Sequence, residues 1–139
     1  MSKTVGEKIR EDVMEIIKRG KADSREVREK VKETVATALE KTEATGENIR
    51  KITESAVNGA VEAAKEAGCK LAEVSRSAAT GAMEAISEAG DKTKVFLKDA
   101  VDGAVGGLEH ALETAKEDTK EATEKVRAEI KEAIKAILF

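Results

Sequence analysis

Three consecutive blocks decide how this chain folds: GENIRKITESAVNGAVEAAKEA at residues 46–67, GCKLAEVSRSAATGAMEAISEA at 68–89 and GDKTKVFLKDAVDGAVGGLEHA at 90–111. Written beneath one another at a spacing of 22 residues, they match in columns. Gly46, Gly68 and Gly90 align, as do Ala56, Ala78 and Ala100, then Gly59, Gly81 and Gly103, then Ala60, Ala82 and Ala104, then Ala67, Ala89 and Ala111. Chance does not produce such a register, so one supersecondary unit recurs along the chain, with atypical units at the ends acting as caps. Outward from this core of repeats the frame continues with less fidelity. Val5, Val27, Ile49 and Leu71 share one column, and Val13, Val35, Val57, Ala79 and Val101 another, which makes about six units in all.

Each block is two halves of 11 residues, and 11 residues in three turns is about 3.67 per turn, a period that keeps one side of a straight helix in phase. On that side lie Val35, Val57, Val101 and Leu112, together with Ile49, Leu71, Val126 and Ile137. Thr42, Thr53, Ile86, Leu97, Leu108 and Ile130 mark the row between. Beside them run Ala56, Ala78 and Ala100, and the column of Ile52, Val74 and Phe96. The apolar arc covers roughly 130–160° of the helix circumference, wider than a two-stranded seam, so a helix carrying it should touch two neighbours. The expected fold is all-α: long amphipathic helices packed as a hairpin, a bundle or a coiled-coil-like oligomer.

Glycine inside a helix costs about 1 kcal/mol relative to alanine, so the glycine columns need a reason. Close approach of helices is one, since Gly and Ala on facing surfaces let backbones come nearer than the usual separation of about 8–10 Å. Punctuation is the other, with Gly46, Gly68 and Gly90 ending helices. Close packing is the expected role of most of them, and Gly90 with Asp91, and the Gly106-Gly107 pair, are the expected breaks or kinks. A first helix over about residues 3–19 presents Val5, Ile9, Val13, Ile16 and Ile17 on one face. Gly20 ends it, and Asp23 or Ser24, with Glu26 following, can cap the next helix in capping-box fashion. The chain therefore divides into an N-terminal helix and turn at 1–22 and a repeat region at 23–139, with core repeats at 46–111 and an aliphatic C-terminal helix at 112–139. Unbroken, that region would form a rod of about 170 Å; a fold-back near Gly68, Gly90 or Gly106 would give a hairpin or bundle.

The composition sets the limits on function. Charged residues make up 38% of the 139 residues, yet the net charge is only −3, which argues for solvated helices rather than self-repelling disorder. There is no Trp, Tyr or Pro, and Phe96 and Phe139 are the aromatic residues, so any core is thin. Nucleic acid is not an expected partner, because a basic stripe and stacking platforms are both lacking. MSKTVGEKIREDV at the N-terminus carries charges where a signal peptide needs an apolar run, and no stretch approaches the roughly 18 apolar residues of a membrane span. The chain reads as cytoplasmic, and its lone cysteine, Cys69, fits a reducing compartment.

No residue pattern points to catalysis, a metal or a cofactor. His110 is the single histidine and occupies the column of Glu66, Glu88 and Glu132, which faces solvent. It has no second His or Cys beside it to make a ligand set. Cys69 aligns with Glu47 and Asp91 on the polar side, where an exposed thiol could link chains or meet an oxidant. Gly103-x-x-x-Gly107 has the spacing of a membrane dimerisation pair, but Asp102 and Glu109 flank it, so it is assigned to packing between water-surrounded helices. No phosphate loop, dinucleotide fingerprint or zinc spacing occurs.

Charge placement says more. Arg50, Lys65, Arg76, Lys94, Lys98, Lys116, Lys120 and Lys131 gather on one flank of the apolar arc, while Glu47, Glu62, Glu73, Glu84, Asp102, Glu113 and Glu124 lie farther round. That suits basic-to-acidic pairing between neighbouring helices. The same flank could meet anionic headgroups at a membrane surface, and local pairs such as Glu47 with Lys51 and Glu121 with Lys125 would support the helices themselves.

The proline-free pattern of 11 and 22 residues over about 24–133, with runs such as LETAKEDTKEATEKV at 112–126, resembles group 3 late embryogenesis abundant proteins. It is similar also to the repeat units of exchangeable apolipoproteins and, more loosely, to phasins that coat storage granules. These resemblances imply coating, protecting or shielding surfaces. The expectation from the residues themselves is a non-enzymatic structural or interaction protein, forming a homo-oligomer through its Ala/Gly-rich helices. The alternative is an amphipathic protein that binds lipid surfaces or protects against stress.

Overall fold

The computed structural model describes residues 4–19, 24–43, 45–67, 71–90, 95–112, 128 and 132, with the backbone alone at Ser24, Leu71, Ala72, Leu97, Val105 and 108–112. Among the described residues there are five helices and no strand: α1 (Val5–Lys18), α2 (Ser24–Glu40), α3 (Gly46–Ala67), α4 (Leu71–Glu88) and α5 (Leu97–Leu112). They pack on one another as a bundle, so the all-α reading holds and the unbroken rod does not.

Local chemistry sets several of the boundaries. Thr4 caps α1, its Oγ1 accepting from the Glu7 amide at 3.2 Å. Thr45 does the same for α3, accepting from the Asn48 amide at 3.1 Å, while Asn48 Nδ2 donates to the Glu43 carbonyl at 3.0 Å. Each cap satisfies an amide that the first helical turn leaves without a partner. Between α4 and α5 the chain passes through Gly90 at φ +127°, a conformation that side chains resist. The expected break at Gly90 is therefore present. The proposed cap at Asp23 lies outside the described residues.

Two expectations need correction. A turn at 41–45 separates α2 from α3, where no fold-back was expected; its signal, Thr45 three residues before Asn48, stands in the sequence without a glycine ahead of it. Gly106 and Gly107 do not break their helix, because α5 runs through both. Gly107 instead serves close packing, as described below.

Contacts between helices follow a rule. The most extensive are α3 on α5, α2 on α4 and α1 on α3, so each helix from α3 onward lies closest to the helix two before it. Two hydrophobic cores result. The first gathers Ile9, Val13 and Ile16 of α1, Val27, Val31 and Val35 of α2, Ile52, Ala56, Ala60, Ala63 and Ala64 of α3, and Val74, Ala78, Ala82 and Ala85 of α4. The second joins Ile49, Val57 and Val61 of α3, Ala79, Met83 and Ile86 of α4, and Ala100 and Ala104 of α5. Both α3 and α4 thus present an alanine-rich side to one core and a larger-residue side to the other, as the wide apolar arc requires. The alanines permit close approach, and the branched residues and Met83 fill the space between.

The columns that hold Ile52, Ala56 and Ala63 in α3 hold Lys8, Asp12 and Arg19 in α1, and Lys30, Thr34 and Lys41 in α2. Of these polar residues Lys8, Arg19, Lys30 and Lys41 are exposed, while Thr34 is buried.

Candidate functional site

The recurring feature of this molecule is a backbone crossing. A Cβ built on Gly59 of α3 would overlap the carbonyl oxygen of Gly6 in α1. One on Gly81 of α4 would overlap the carbonyl of Arg28 in α2, and one on Gly103 of α5 the carbonyl of Arg50 in α3. The three partner carbonyls are spaced by 22 residues, as are the three glycines. One turn further along, Gly107 meets the Glu54 carbonyl as Gly103 meets that of Arg50, so α3 and α5 run parallel along this contact. The same columns in α1 and α2 hold Glu15 and Thr37, both exposed.

Several residues expected on the packing side lie at these contacts. Val35, Ile49, Ala56, Val57, Gly59, Ala60, Ala78, Gly81, Ala82, Ile86, Ala100, Gly103 and Ala104 are buried, and Val101 is half-buried. Leu71, Leu97, Leu108 and Leu112 fall within helices, but their side chains lie outside the described set, as do Val126, Ile130 and Ile137 altogether. Of the glycine columns, the one at 59, 81 and 103 serves approach, while Gly46 opens α3 and Gly90 follows α4. Of the column expected to end helices, Gly90 fits that role, whereas Gly46 begins α3 with a Cβ position 2.9 Å from the Asp99 carboxylate, and Gly68 lies outside the described residues. Cys69 and the side chain of His110 lie outside the described residues.

Charge pairs bridge the same helices. Arg10 of α1 pairs with Glu66 of α3. In the equivalent columns one block later, Lys32 of α2 pairs with Glu88 of α4 at 2.8 Å, and also with Glu84 at 3.6 Å. Arg28 Nε stands 3.7 Å from Glu84. The hydrogen bond to Glu88 holds the Lys32 ammonium above its usual value of 10.5, against the pull of partial desolvation, and the charges of Glu88 and Glu84 reinforce it. One block further these two columns contain Glu54 and His110, acid and base exchanged. The local pair of Lys51 with Glu47 forms at 3.2 Å. Exposed pairs of this kind contribute about 0–1 kcal/mol each, so they align helices already held by packing.

The surface has open grooves between helices. One of about 440 Å³, between α1 and α2, is lined by acids and bases together, among them Asp12, Glu15, Arg19, Glu29 and Lys30. A second, of about 380 Å³ between α2 and α4, is lined by Arg25, Arg28, Arg76, Ser77 and Thr80. Sequence reasoning had placed Arg76 on the basic flank but could not bring it to Arg25 and Arg28, because that requires knowing that α4 lies on α2. No cluster of His, Cys, Asp and Glu among the described residues could hold a metal ion. Nor is any described helix long and apolar enough to cross a membrane.

Helices packed on one another as a bundle, with grooves at the surface, define the class: an all-α protein. The chain belongs to the family of unknown function DUF6781, whose model matches residues 3–137. No curated protein and no solved structure matches the chain.

Proposed function

We propose that this chain is a non-enzymatic structural or interaction protein whose 22-residue Ala/Gly-rich helical repeats mediate helix–helix association and, through it, assembly into a homo-oligomer. The observation that carries this reading is the recurrence of one contact, Gly59 on Gly6, Gly81 on Arg28 and Gly103 on Arg50. A sequence that spends its periodic glycines on helix approach is organised around association, and its columns continue beyond the contacts just described. Those filled by Val57 and Val61 in α3, and by Met83 and Ile86 in α4, are filled by Val101, Val105 and Leu108 in α5. In α3 and α4 that side receives a later helix. We assign the same columns of α5 to a helix of a second copy.

Light scattering combined with circular dichroism tests this. The expected result is a solution mass above the 14.8 kDa of one chain, with high helicity in buffer that vesicles leave unchanged. A monomer across the accessible concentration range would overturn self-assembly. The alternative, adsorption to a lipid surface, draws the core residues out of the interior to face acyl chains. It predicts low helicity in buffer and a sharp rise with anionic vesicles.

A further inference from the structure

We infer that the groove between α2 and α4, lined by Arg25, Arg28, Arg76, Ser77 and Thr80, is a binding site for a phosphoryl group. Its formation follows from the crossing. Gly81 brings the backbone of α4 onto the Arg28 carbonyl of α2, and Ser77 and Thr80, in the turn before Gly81, are carried with it to the side of Arg25 and Arg28. Three guanidinium groups and two hydroxyls line the groove, and no carboxylate does. Planar guanidinium forks match phosphoryl oxygens bidentately, and hydroxyls supply further donors. Ser77 is only 6% exposed, so its position is fixed by packing. Glu84 meets Arg28 through Nε at 3.7 Å, beyond hydrogen-bond length, and divides its charge with Lys32. Arg25 also borders the neighbouring groove that holds Glu26 and Glu29.

The repeat supplies an internal control. The α3–α5 crossing has the same glycine contact, yet the positions equivalent to Arg25, Arg28, Arg76, Ser77 and Thr80 are Glu47, Arg50, Lys98, Asp99 and Asp102. At the α1–α3 crossing, Gly6 replaces Arg28, and Glu54, Ser55 and Asn58 replace Arg76, Ser77 and Thr80. The crossing therefore needs neither the arginines nor the absence of acids. Their concentration at one copy marks that copy as different in chemistry, not in packing. A groove of about 380 Å³ accommodates a pyrophosphate or a phosphomonoester with part of its substituent.

The test uses the full chain. Calorimetric titration with pyrophosphate and with inorganic phosphate reads binding of a soluble group. Co-sedimentation with phosphatidylcholine vesicles, with and without phosphatidate, reads binding of the same group on a lipid. Two variants borrow residues the repeat already carries at equivalent positions: Arg76→Glu, as at Glu54, and Thr80→Asp, as at Asp102. Both should keep the wild-type helicity and melting temperature while weakening binding at least tenfold, and Lys98→Glu in the α3–α5 crossing should leave binding unchanged. If either substitution lowers the melting temperature, Arg76→Gln at an exposed position serves in its place. Binding to the soluble anions identifies a free phosphorylated ligand, and binding confined to phosphatidate vesicles identifies a headgroup. No binding in either arm, or binding that Arg76 and Thr80 variants do not weaken, overturns the inference.

Discussion

Gly107 faces the Glu54 carbonyl oxygen so closely that a methyl group on it would overlap that oxygen, whereas a Cβ on Gly106, one residue earlier, would lie 3.8 Å from the Glu54 Cδ. Two adjacent glycines in one helix thus do opposite things. Gly106→Ala gains the helix preference of alanine without a clash and should stabilise the protein by about 0.5–1 kcal/mol. Gly107→Ala gains the same preference but drives two backbones apart, for a net loss of about 1–3 kcal/mol. Urea denaturation midpoints measure both, and shifts of the same sign would contradict the crossing.

A second pair of opposite effects lies in the core. Thr53 and Ser75 occupy the same column one block apart, and both are fully buried. Thr53 Oγ1 donates to the Ile49 carbonyl at 2.8 Å, while Ser75 Oγ makes no hydrogen bond. Removing a buried hydroxyl that has no partner relieves its desolvation cost, so Ser75→Ala should stabilise by about 1 kcal/mol. Thr53→Ala removes a satisfied hydroxyl and a packed methyl group and should cost about 1–2 kcal/mol. Thermal melts followed by circular dichroism would show midpoints moving in opposite directions.

Met83 is one of two large side chains, with Ile86, that α4 contributes to the second core, and it is fully buried there. Met83→Ala should cost about 2–5 kcal/mol, through lost burial and the cavity left behind. Val101→Ala, at the half-buried edge of the same core, should cost less than about 1.5 kcal/mol. Equal losses in chemical denaturation would mean that the second core is not centred on α4.

The pair of Lys32 with Glu88 predicts a pH dependence. The folded state holds the Lys32 ammonium above its usual 10.5, so its contribution is fully present below that value and fades as the pH rises through the folded value. The chain has no Tyr to titrate in the same range. The stability difference between wild type and Lys32→Gln should therefore be present at neutral pH and shrink toward zero above pH 10.5. A difference that grows with alkalinity would have the wrong sign for this pair.

The helical class, the extent of α1 and the packing positions were legible because they rest on periodicity, and a period survives without knowledge of partners. Val13, Val35 and Val57 share a column and are buried in α1, α2 and α3 alike. The turn at 41–45 was half legible: Gly46 suggests the end of a helix in the sequence, but it opens α3 instead, and the cap by Thr45 and Asn48 carries the boundary. Gly106-Gly107 misled in the other direction, since two adjacent glycines usually mean a break, and only the position of the Glu54 carbonyl explains one of them. The arginine groove was illegible for a geometric reason. Its residues lie on α2 and α4, and nothing in the linear order says that a helix packs on its second predecessor rather than its first.

Contact with the second predecessor makes the length of this chain adjustable. If the block at 68–89 were excised, α5 would become the second successor of α2, and Gly103 would meet the Arg28 carbonyl in place of Gly81. Duplicating that block would insert one more helix into a series whose neighbours already fit it. Whole blocks are thus the natural unit of gain and loss for such a chain, whereas an insertion inside a helix that is not a multiple of 11 residues would turn the remaining small residues of that helix away from the backbone they lie against.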